Sequence, residues 1–196
     1  MSSETNGDRV ARWQKRIEED PSSAAAHFNL GLAHTKKGRV DRAEQAYMQA
    51  LELDPDLVEA WVNLGGVRLL KWNFQGCLEA NQEAVKRRGD LPLAHYNMGQ
   101  AYLYLGDAEN LVRCSRRVLE LDPAHAAGHY FLAVGLLATG QVFEAREALA
   151  KAMALGHRPM PEFLRSLERA EEKLRTNTTV STSDPRAETT GDAKEE

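Results

Sequence analysis

The sequence is poor in the features that accompany secretion, membrane insertion or disulfide stabilisation. It contains two cysteines, Cys77 and Cys114, which are too few for a disulfide framework. No stretch approaches the roughly 18 apolar residues that a membrane span requires. The first twenty residues carry four cationic side chains but lack the apolar run of a secretory signal. We therefore expect a cytoplasmic protein that has no membrane partner.

An excess of positive charge is also missing. The formal net charge is -4 and the calculated pI is about 5.9, whereas nucleic-acid binding requires a strongly basic face. The two short basic clusters, 86–88 and 113–117, are better explained as solvated helix faces. No Gly-rich phosphate loop, nucleophile elbow or pair of catalytic carboxylates occurs. These absences predict no nucleic-acid partner, no cofactor and no enzymatic activity.

The main feature that is present is repetition with a period of 34 residues. A Leu-Gly, Met-Gly or Leu-Ala pair recurs at this spacing, and so does a glycine that one copy replaces with Trp72. Aligning the chain with itself gives four copies, which run over residues 24–57, 58–91, 92–125 and 126–159.

Each copy has the apolar spacing of two amphipathic helices. In the first copy, Phe28 and Leu32 mark one helix, and Tyr47 and Leu51 mark the other. A glycine between them predicts a chain reversal, and an Asp-Pro pair ends the second helix because proline has no amide donor. Such a helix pair cannot bury its apolar faces alone, so neighbouring pairs are predicted to stack into a solenoid.

This pattern resembles the tetratricopeptide repeat family. The resemblance is carried by Trp61, Leu64 and Gly65 in one first helix, by Tyr102 in the next, and by Ala43, Tyr47, Ala50 and Pro55 in a second helix. It implies an all-α fold: a right-handed α-solenoid of four tetratricopeptide helix pairs with an N-terminal helix and a C-terminal capping helix. It also implies a protein-protein interaction adaptor whose concave groove binds a peptide segment or helix of a partner protein.

The second and third copies depart from this pattern. Trp72 replaces the turn glycine, Asn81 and Ser115 stand where an aromatic residue is usual, and Leu111 replaces a small alanine. We expect looser or differently angled packing between these two copies.

The segments outside the repeats have distinct predicted roles. Residues 1–23 contain a helix-length segment, 9–19, that resembles half a repeat and covers the end of the first copy. Residues 160–175 carry an apolar stripe and a charged face, which predicts a capping helix. The polar composition of 176–196 predicts a disordered tail.

The resemblance implies that the first helices of successive copies line the inner wall of the groove. The residues projected onto this wall are Phe28, Asn29, Leu32, Val62, Asn63, Leu70, Tyr96, Asn97, Gln100, Tyr104, Tyr130 and Phe131. Two interpretations of the aromatic members stay open. They either pack helix against helix, or form an exposed apolar patch that anchors a partner.

The three asparagines on this wall, Asn29, Asn63 and Asn97, also allow two interpretations. They resemble a ladder with which some members of the family hold a peptide backbone, since an amide both donates and accepts. Alternatively, each asparagine bonds to a neighbouring helix. The cationic residues of the family's carboxylate clamp are not found at the matching positions.

Two further possibilities concern metals and self-assembly. His27, His95 and His129 share one repeat position, but successive copies lie too far apart for a common metal ion. His125 and His129 are four residues apart and lack evident partner ligands, so no metal site is expected. The alternative to an adaptor is a homo-oligomeric scaffold, in which residues 9–19 complete the stack of another copy.

Overall fold

A computed structural model describes the backbone of residues 6–181 and the side chains of residues 9–176, and within this range the chain is helical without strands. None of its helices is both long and apolar enough to cross a membrane. The helices are α1 (Asn6–Glu19), α2 (Ala24–Thr35), α3 (Val40–Leu53), α4 (Val58–Leu70), α5 (Phe74–Arg87), α6 (Pro92–Leu105), α7 (Ala108–Leu121), α8 (Ala126–Ala138), α9 (Val142–Ala154) and α10 (Pro161–Ser181).

The helices from α2 to α9 form four antiparallel pairs that stack in order, with each helix packed on the next. Helix α4 also contacts α6, and α6 contacts α8. In contrast, crevices of about 680 and 440 Å³ open between α5 and α7 and between α7 and α9. Because the first helices of the pairs approach one another more closely than the second helices do, the stack curves with α2, α4, α6 and α8 on its inner wall.

The turn inside each pair requires a residue with positive φ. Gly38, Gly106 and Gly140 occupy this position with φ of 65°, 73° and 81°, which glycine adopts without steric cost. In the second pair Trp72 takes the same conformation, with φ of 60°. A left-handed conformation costs an L-residue about 1–2 kcal/mol. The second turn is therefore strained where the other three are not.

A hydrogen bond fastens each first helix to the loop that precedes it. Trp61 Nε1 donates to the carbonyl of Pro55 at 2.8 Å, and His27, His95 and His129 place Nε2 3.2, 3.3 and 3.0 Å from the equivalent carbonyls. Because a carbonyl only accepts, each histidine must carry its proton on Nε2. The sequence raised these three histidines as metal candidates. In the structure each makes the hydrogen bond to a loop carbonyl that the Trp61 indole makes in the second pair.

The remaining histidine of the i, i+4 pair also bonds to backbone. His125 Nδ1 accepts from the amide of Gly128 at 2.9 Å and caps the start of α8. Within the described residues, no group of three His, Cys, Asp or Glu side chains is arranged to hold a metal ion.

The core of each pair depends on a close approach between its two helices. In the first pair the ring of Tyr47 fills the space beside Gly31, and a Cβ there would lie 2.5 Å from the ring. In the second pair the fully buried Asn81 occupies the same space beside Gly65. In the third pair a Cβ on Gly99 would meet only ordinary contacts at 3.6 Å and beyond. The second and third copies thus differ from the first in the side chains that fill the space between the two helices of a pair. Looser or differently angled packing between these two copies stays a prediction.

The two terminal helices cover the ends of the stack. Helix α1 packs on α2 and buries Val10, while α10 packs on α9 and buries Leu167 completely. Arg146 on α9 holds α10 through two hydrogen bonds of 2.7 Å to the carboxylate of Glu171.

Helix α10 continues to Ser181, which corrects the expectation of a disordered tail for 176–181. Thr176 supports this extension by bonding to the carbonyls of Glu172 and Lys173; residues 182–196 lie outside the described range.

Both cysteines are buried thiols, and burial raises the pKa of each to about 11. A free thiol has a pKa of about 8.5, so at neutral pH the reactive thiolate is much scarcer here than in a peptide. We expect Cys77 and Cys114 in the native protein to react with iodoacetamide at least about a hundredfold more slowly than a peptide thiol. Mass spectrometry of a timed alkylation measures this, with the urea-unfolded chain as the control. Rapid labelling of either native thiol would contradict the buried position.

Candidate functional site

The inner wall is accessible along its central part. Helix α1 packs on α2 at one end, and α10 packs on α9 at the other. Among the described helices, α4 and α6 therefore keep their inner faces free of any covering segment. The side chains on these two helices are the ones that a partner molecule could reach.

Three projected groove residues lie together where α4 and α6 end. Leu70, Gln100 and Tyr104 line a pocket of about 180 Å³ with Leu69 and Trp72. Leu70 is 66% exposed, Trp72 69% and Tyr104 57%, so this apolar surface faces solvent. The exposed-patch interpretation therefore applies here.

Aromatic rings hold this pocket in shape. The ring of Tyr104 stacks on Phe74 with centroids 4.9 Å apart, and the indole of Trp72 meets it edge-on at 5.2 Å. Trp72 also contacts Phe74 edge-on at 5.9 Å. We call Leu70, Trp72, Phe74 and Tyr104 the aromatic lip.

A second aromatic group lies near the other ends of the inner helices. Tyr96 and Phe131 are stacked with centroids 5.3 Å apart, and both are half-buried. Burial raises the pKa of the Tyr96 hydroxyl above its ordinary value. Tyr130 also belongs to this group, but Phe163 from α10 meets its ring edge-on at 5.3 Å and His157 stacks on it at 4.3 Å. Tyr130 is thus largely engaged within the chain.

The first inner helix contributes to a pocket at the N-terminal end of the wall. Asn29 and Leu32 line a space of about 120 Å³ with Arg9, Arg12, Trp13, Ala33 and Lys36. The guanidinium of Arg12 lies over the Trp13 ring, 5.0 Å from its centroid. The neighbouring Phe28 is half-buried and packs against the core, with its ring 5.9 Å from that of Tyr47.

Two projected residues are not available to a partner. Val62 and Asn97 are buried, because each lies where α4 and α6 pack together. Asn97 Nδ2 donates to the carbonyl of Val62 at 3.4 Å and to Asn81 Oδ1 at 3.3 Å. This corrects the assignment of both residues to the groove surface.

The asparagine ladder is not continuous in this structure. Asn29 and Asn63 each donate to the carbonyl four residues earlier in their own helix, at 2.7 Å, and remain partly exposed. Asn97 bonds across helices in the core instead. Only the first two asparagines could turn towards a peptide backbone, and each would have to break an existing hydrogen bond.

Trp72, Phe74 and the cationic residues of α1 are site candidates that the sequence did not assign to the groove. Trp72 was apparent only as a departure from the turn glycine, which suggested altered packing. Arg9 and Arg12 were visible as basic residues before the repeats, but their position beside Leu32 depends on how α1 docks.

Comparison with known proteins agrees with this geometry. Two family profiles, both described as tetratricopeptide repeat, match residues 24–57 and 93–125. Residues 24–57 and 93–125 are therefore tetratricopeptide repeats. The matched segments correspond to the pairs α2–α3 and α6–α7, so the profiles and the helix pairs have the same register.

Solved structures with a similar fold include several of MamA. One crystal structure of MamA superposes with a TM-score of 0.72 at 18% identity, covering 79% of this chain and 96% of that one. Residues 41 to the end of MamA from Desulfovibrio magneticus RS-1 give 0.71 at 20% identity, covering 76% and 85%. At these identities the similarity establishes the fold. No curated protein gives a significant match.

Tetratricopeptide repeats form a non-catalytic type of fold that acts as a scaffold for protein interactions, and this chain has that architecture. Exposed apolar side chains gather where α4 and α6 end, where Leu70, Tyr104 and the loop residue Trp72 line one pocket.

Proposed function

We propose that this chain is a non-enzymatic adaptor that holds a segment of another protein against α4 and α6. The observation that carries this proposal is the aromatic lip, an apolar surface left uncovered on the inner wall. Contiguous exposed apolar surface of this kind is typical of an interaction site. Tyrosine and tryptophan provide large contact area and lose little side-chain entropy on binding.

Four repeats offer a short wall, so one segment is expected to bind with a dissociation constant near 1 µM, about 8 kcal/mol. Because the inner wall is continuous from α2 to α6, an extended segment can contact several pockets at once. An amphipathic helix can likewise place several side chains along such a wall, so the proposal includes both an extended segment and a helix.

Replacing Tyr96 and Tyr104 together by alanine should weaken the binding of groove-directed peptides about a hundredfold, because both rings provide inner-wall contact area. A displayed library of random dodecamer peptides, selected on the native chain, supplies the ligands, and fluorescence anisotropy measures their affinities. Phe143→Ala is the matched control, since Phe143 is an exposed aromatic residue on α9, outside the inner wall. Full affinity in a double variant with native circular dichroism would reject the groove as the site.

A homo-oligomeric scaffold is the alternative assignment. Helix α1 is docked on α2 of its own chain, where it already occupies the position that it would offer to another copy. This observation favours the adaptor. Light scattering over a hundredfold concentration range separates the two, since an assembling scaffold gains mass with concentration. The cytoplasmic location stays a prediction.

A further inference from the structure

The outer face of the stack carries a crevice that the proposed function does not use. It lies between the second helices α5 and α7, and buried residues of α6 form its floor. Its volume of about 680 Å³ falls within the range of roughly 300–1,000 Å³ that is typical of small-molecule sites. The apolar part of its lining consists of Val85, Met98, Tyr102, Val112 and Cys114. The crevice therefore offers an apolar interior of ligand size on the face opposite the inner wall.

The shape of the crevice suits a single chain or ring system. On α7 its lining extends from Glu109 to Glu120, which is about 16 Å at the helical rise of 1.5 Å per residue. Spread over this length, the volume gives a mean cross-section of about 40 Å². A helix with its side chains is 10–12 Å across, which corresponds to roughly 80–110 Å². A small molecule can therefore enter the crevice, whereas a whole helix cannot.

One end of the crevice is open because of Gly89. This glycine belongs to the lining and stands where the first and third copies have Pro55 and Pro123. A Cβ on Gly89 would meet no atom within 4 Å, so the space beside it is empty. The loss of the Asp-Pro ending in the second copy thus leaves this end of the crevice without a side chain.

Two arginines of α7 line the crevice without a carboxylate partner. Arg113 and Arg116 are exposed, and within the described residues neither makes an ion pair or a side-chain hydrogen bond. Arg116 also borders the neighbouring crevice between α7 and α9. The other charged residues in the lining are Arg117 and Glu120, which pair with each other at 2.7 Å, and Glu109. Arginine binds a carboxylate or phosphate with two parallel hydrogen bonds, so the two unpaired guanidinium groups favour an anionic ligand.

We propose that this crevice binds a small anionic amphiphile, a molecule with one apolar chain or ring system and a single carboxylate or phosphate group. The apolar part lies on Met98, Tyr102 and Val112, and the anionic group meets Arg113 and Arg116. The site is on the outer face, so it goes beyond the adaptor function and does not depend on it.

Isothermal titration calorimetry with dodecanoate, below the concentration at which it forms micelles, tests the chemistry of the ligand. We expect one site per chain. Hexanoate should bind at least tenfold more weakly because it buries less apolar surface, and dodecyltrimethylammonium should do the same because its charge is opposite. Dodecyl phosphate is the second anionic probe, and the tighter of the two anions identifies the preferred group.

Replacing Arg113 and Arg116 together by alanine should weaken the binding of dodecanoate at least tenfold. The matched control replaces Arg39 and Arg42 by alanine, which removes the same charge from exposed residues at the start of α3, outside the crevice. This control should keep the native affinity. Circular dichroism and thermal melting confirm that both double variants are folded.

A labelling experiment locates the bound ligand. Gln82 is exposed and lines the crevice, whereas Gln45 is exposed on α3 outside it. Dodecanoate should slow the reaction of iodoacetamide with Gln82→Cys at least fivefold and leave its reaction with Gln45→Cys unchanged. Trp72→Gly, which removes the indole of the aromatic lip at a position where glycine accepts positive φ, should bind dodecanoate as the native chain does.

Four results would overturn this site and leave the adaptor in place, because none of them involves a peptide on the inner wall. They are binding of dodecanoate only as micelles, equal binding of the cationic amphiphile, full affinity in the folded Arg113 and Arg116 variant, and equal protection of the two introduced cysteines. Loss of binding in Trp72→Gly would also overturn it, since the ligand would then lie at the aromatic lip.

Discussion

Gly65→Ala is expected to lower the free energy of unfolding by about 3 kcal/mol, because its new methyl group would overlap the side-chain amide of Asn81. Asn81 is fully buried and cannot move away without breaking bonds. Its Nδ2 donates to the carbonyl of Cys77 at 2.8 Å, and its Oδ1 accepts from Asn97. Urea unfolding followed by circular dichroism measures the effect.

The next residue provides a matched control. Gly66→Ala places its methyl group 3.7 Å from the nearest atom, Asn97 Nδ2, which is an ordinary contact. Alanine is about 0.5–1 kcal/mol more favourable than glycine inside a helix. Gly66→Ala should therefore match or exceed the native stability, although both changes add one methyl group to the same turn of α4.

A double variant identifies the cause of the Gly65→Ala loss. Combining Gly65→Ala with Asn81→Ala removes the overlapping amide, so the two losses should be far from additive. Additive losses would show that the alanine at 65 acts through some other contact, and equal stabilities for Gly65→Ala and Gly66→Ala would contradict the close approach of α4 and α5.

This pair of glycines shows how far the sequence determines the fold. The period of 34 residues and the Leu-Gly pairs predict the helices and their stacking, since helix spacing and turn chemistry are local properties. The tight contact of Gly65 with Asn81 was not predicted, because it depends on how a polar residue fills the space that Tyr47 fills in the first pair. The repeat pattern therefore predicts where the helices lie and how they pair. It does not predict which side chains fill the space between two paired helices.

The candidate site was predictable to a similar extent. Leu70, Gln100 and Tyr104 were projected onto the inner wall from repeat position alone, and they share a pocket. Val62 and Asn97 have equally suitable positions but are buried where α4 meets α6. Repeat position specifies the side of a helix on which a residue lies. Exposure depends also on the neighbouring helix, whose side chains the repeat pattern does not determine.

Trp72 shows a second feature of the site that the sequence could not predict. In the sequence Trp72 stands where the other repeats have a turn glycine, and the loss of that glycine predicts a less stable turn. In the structure the backbone keeps the glycine conformation, and the indole projects beside Tyr104. The same substitution thus weakens the turn and creates the exposed ring of the aromatic lip, a consequence that depends on Tyr104 in the following repeat.

Leu167→Ala is expected to weaken the docking of α10 by about 3 kcal/mol, since Leu167 is fully buried and its removal leaves a cavity. Its side chain belongs to the same core cluster as Ala145 and Leu149 of α9. Stability in a stacked repeat fold is a sum of local terms, so the loss should stay at this end of the chain. Hydrogen exchange measured by mass spectrometry should show faster exchange in α10 and unchanged exchange in α2–α5.

The adjacent residue again serves as the control, because Glu168 is exposed and Glu168→Ala removes no buried contact. The outcome bears on function through Tyr130, whose ring is covered by Phe163 of α10. If α10 undocks in Leu167→Ala, Tyr130 loses the Phe163 contact and keeps the stack with His157, so its ring becomes more exposed at this end of the inner wall. Unchanged exchange in α10 would mean that its docking does not depend on Leu167, and that the Arg146–Glu171 pair and the half-buried contacts are sufficient to hold it.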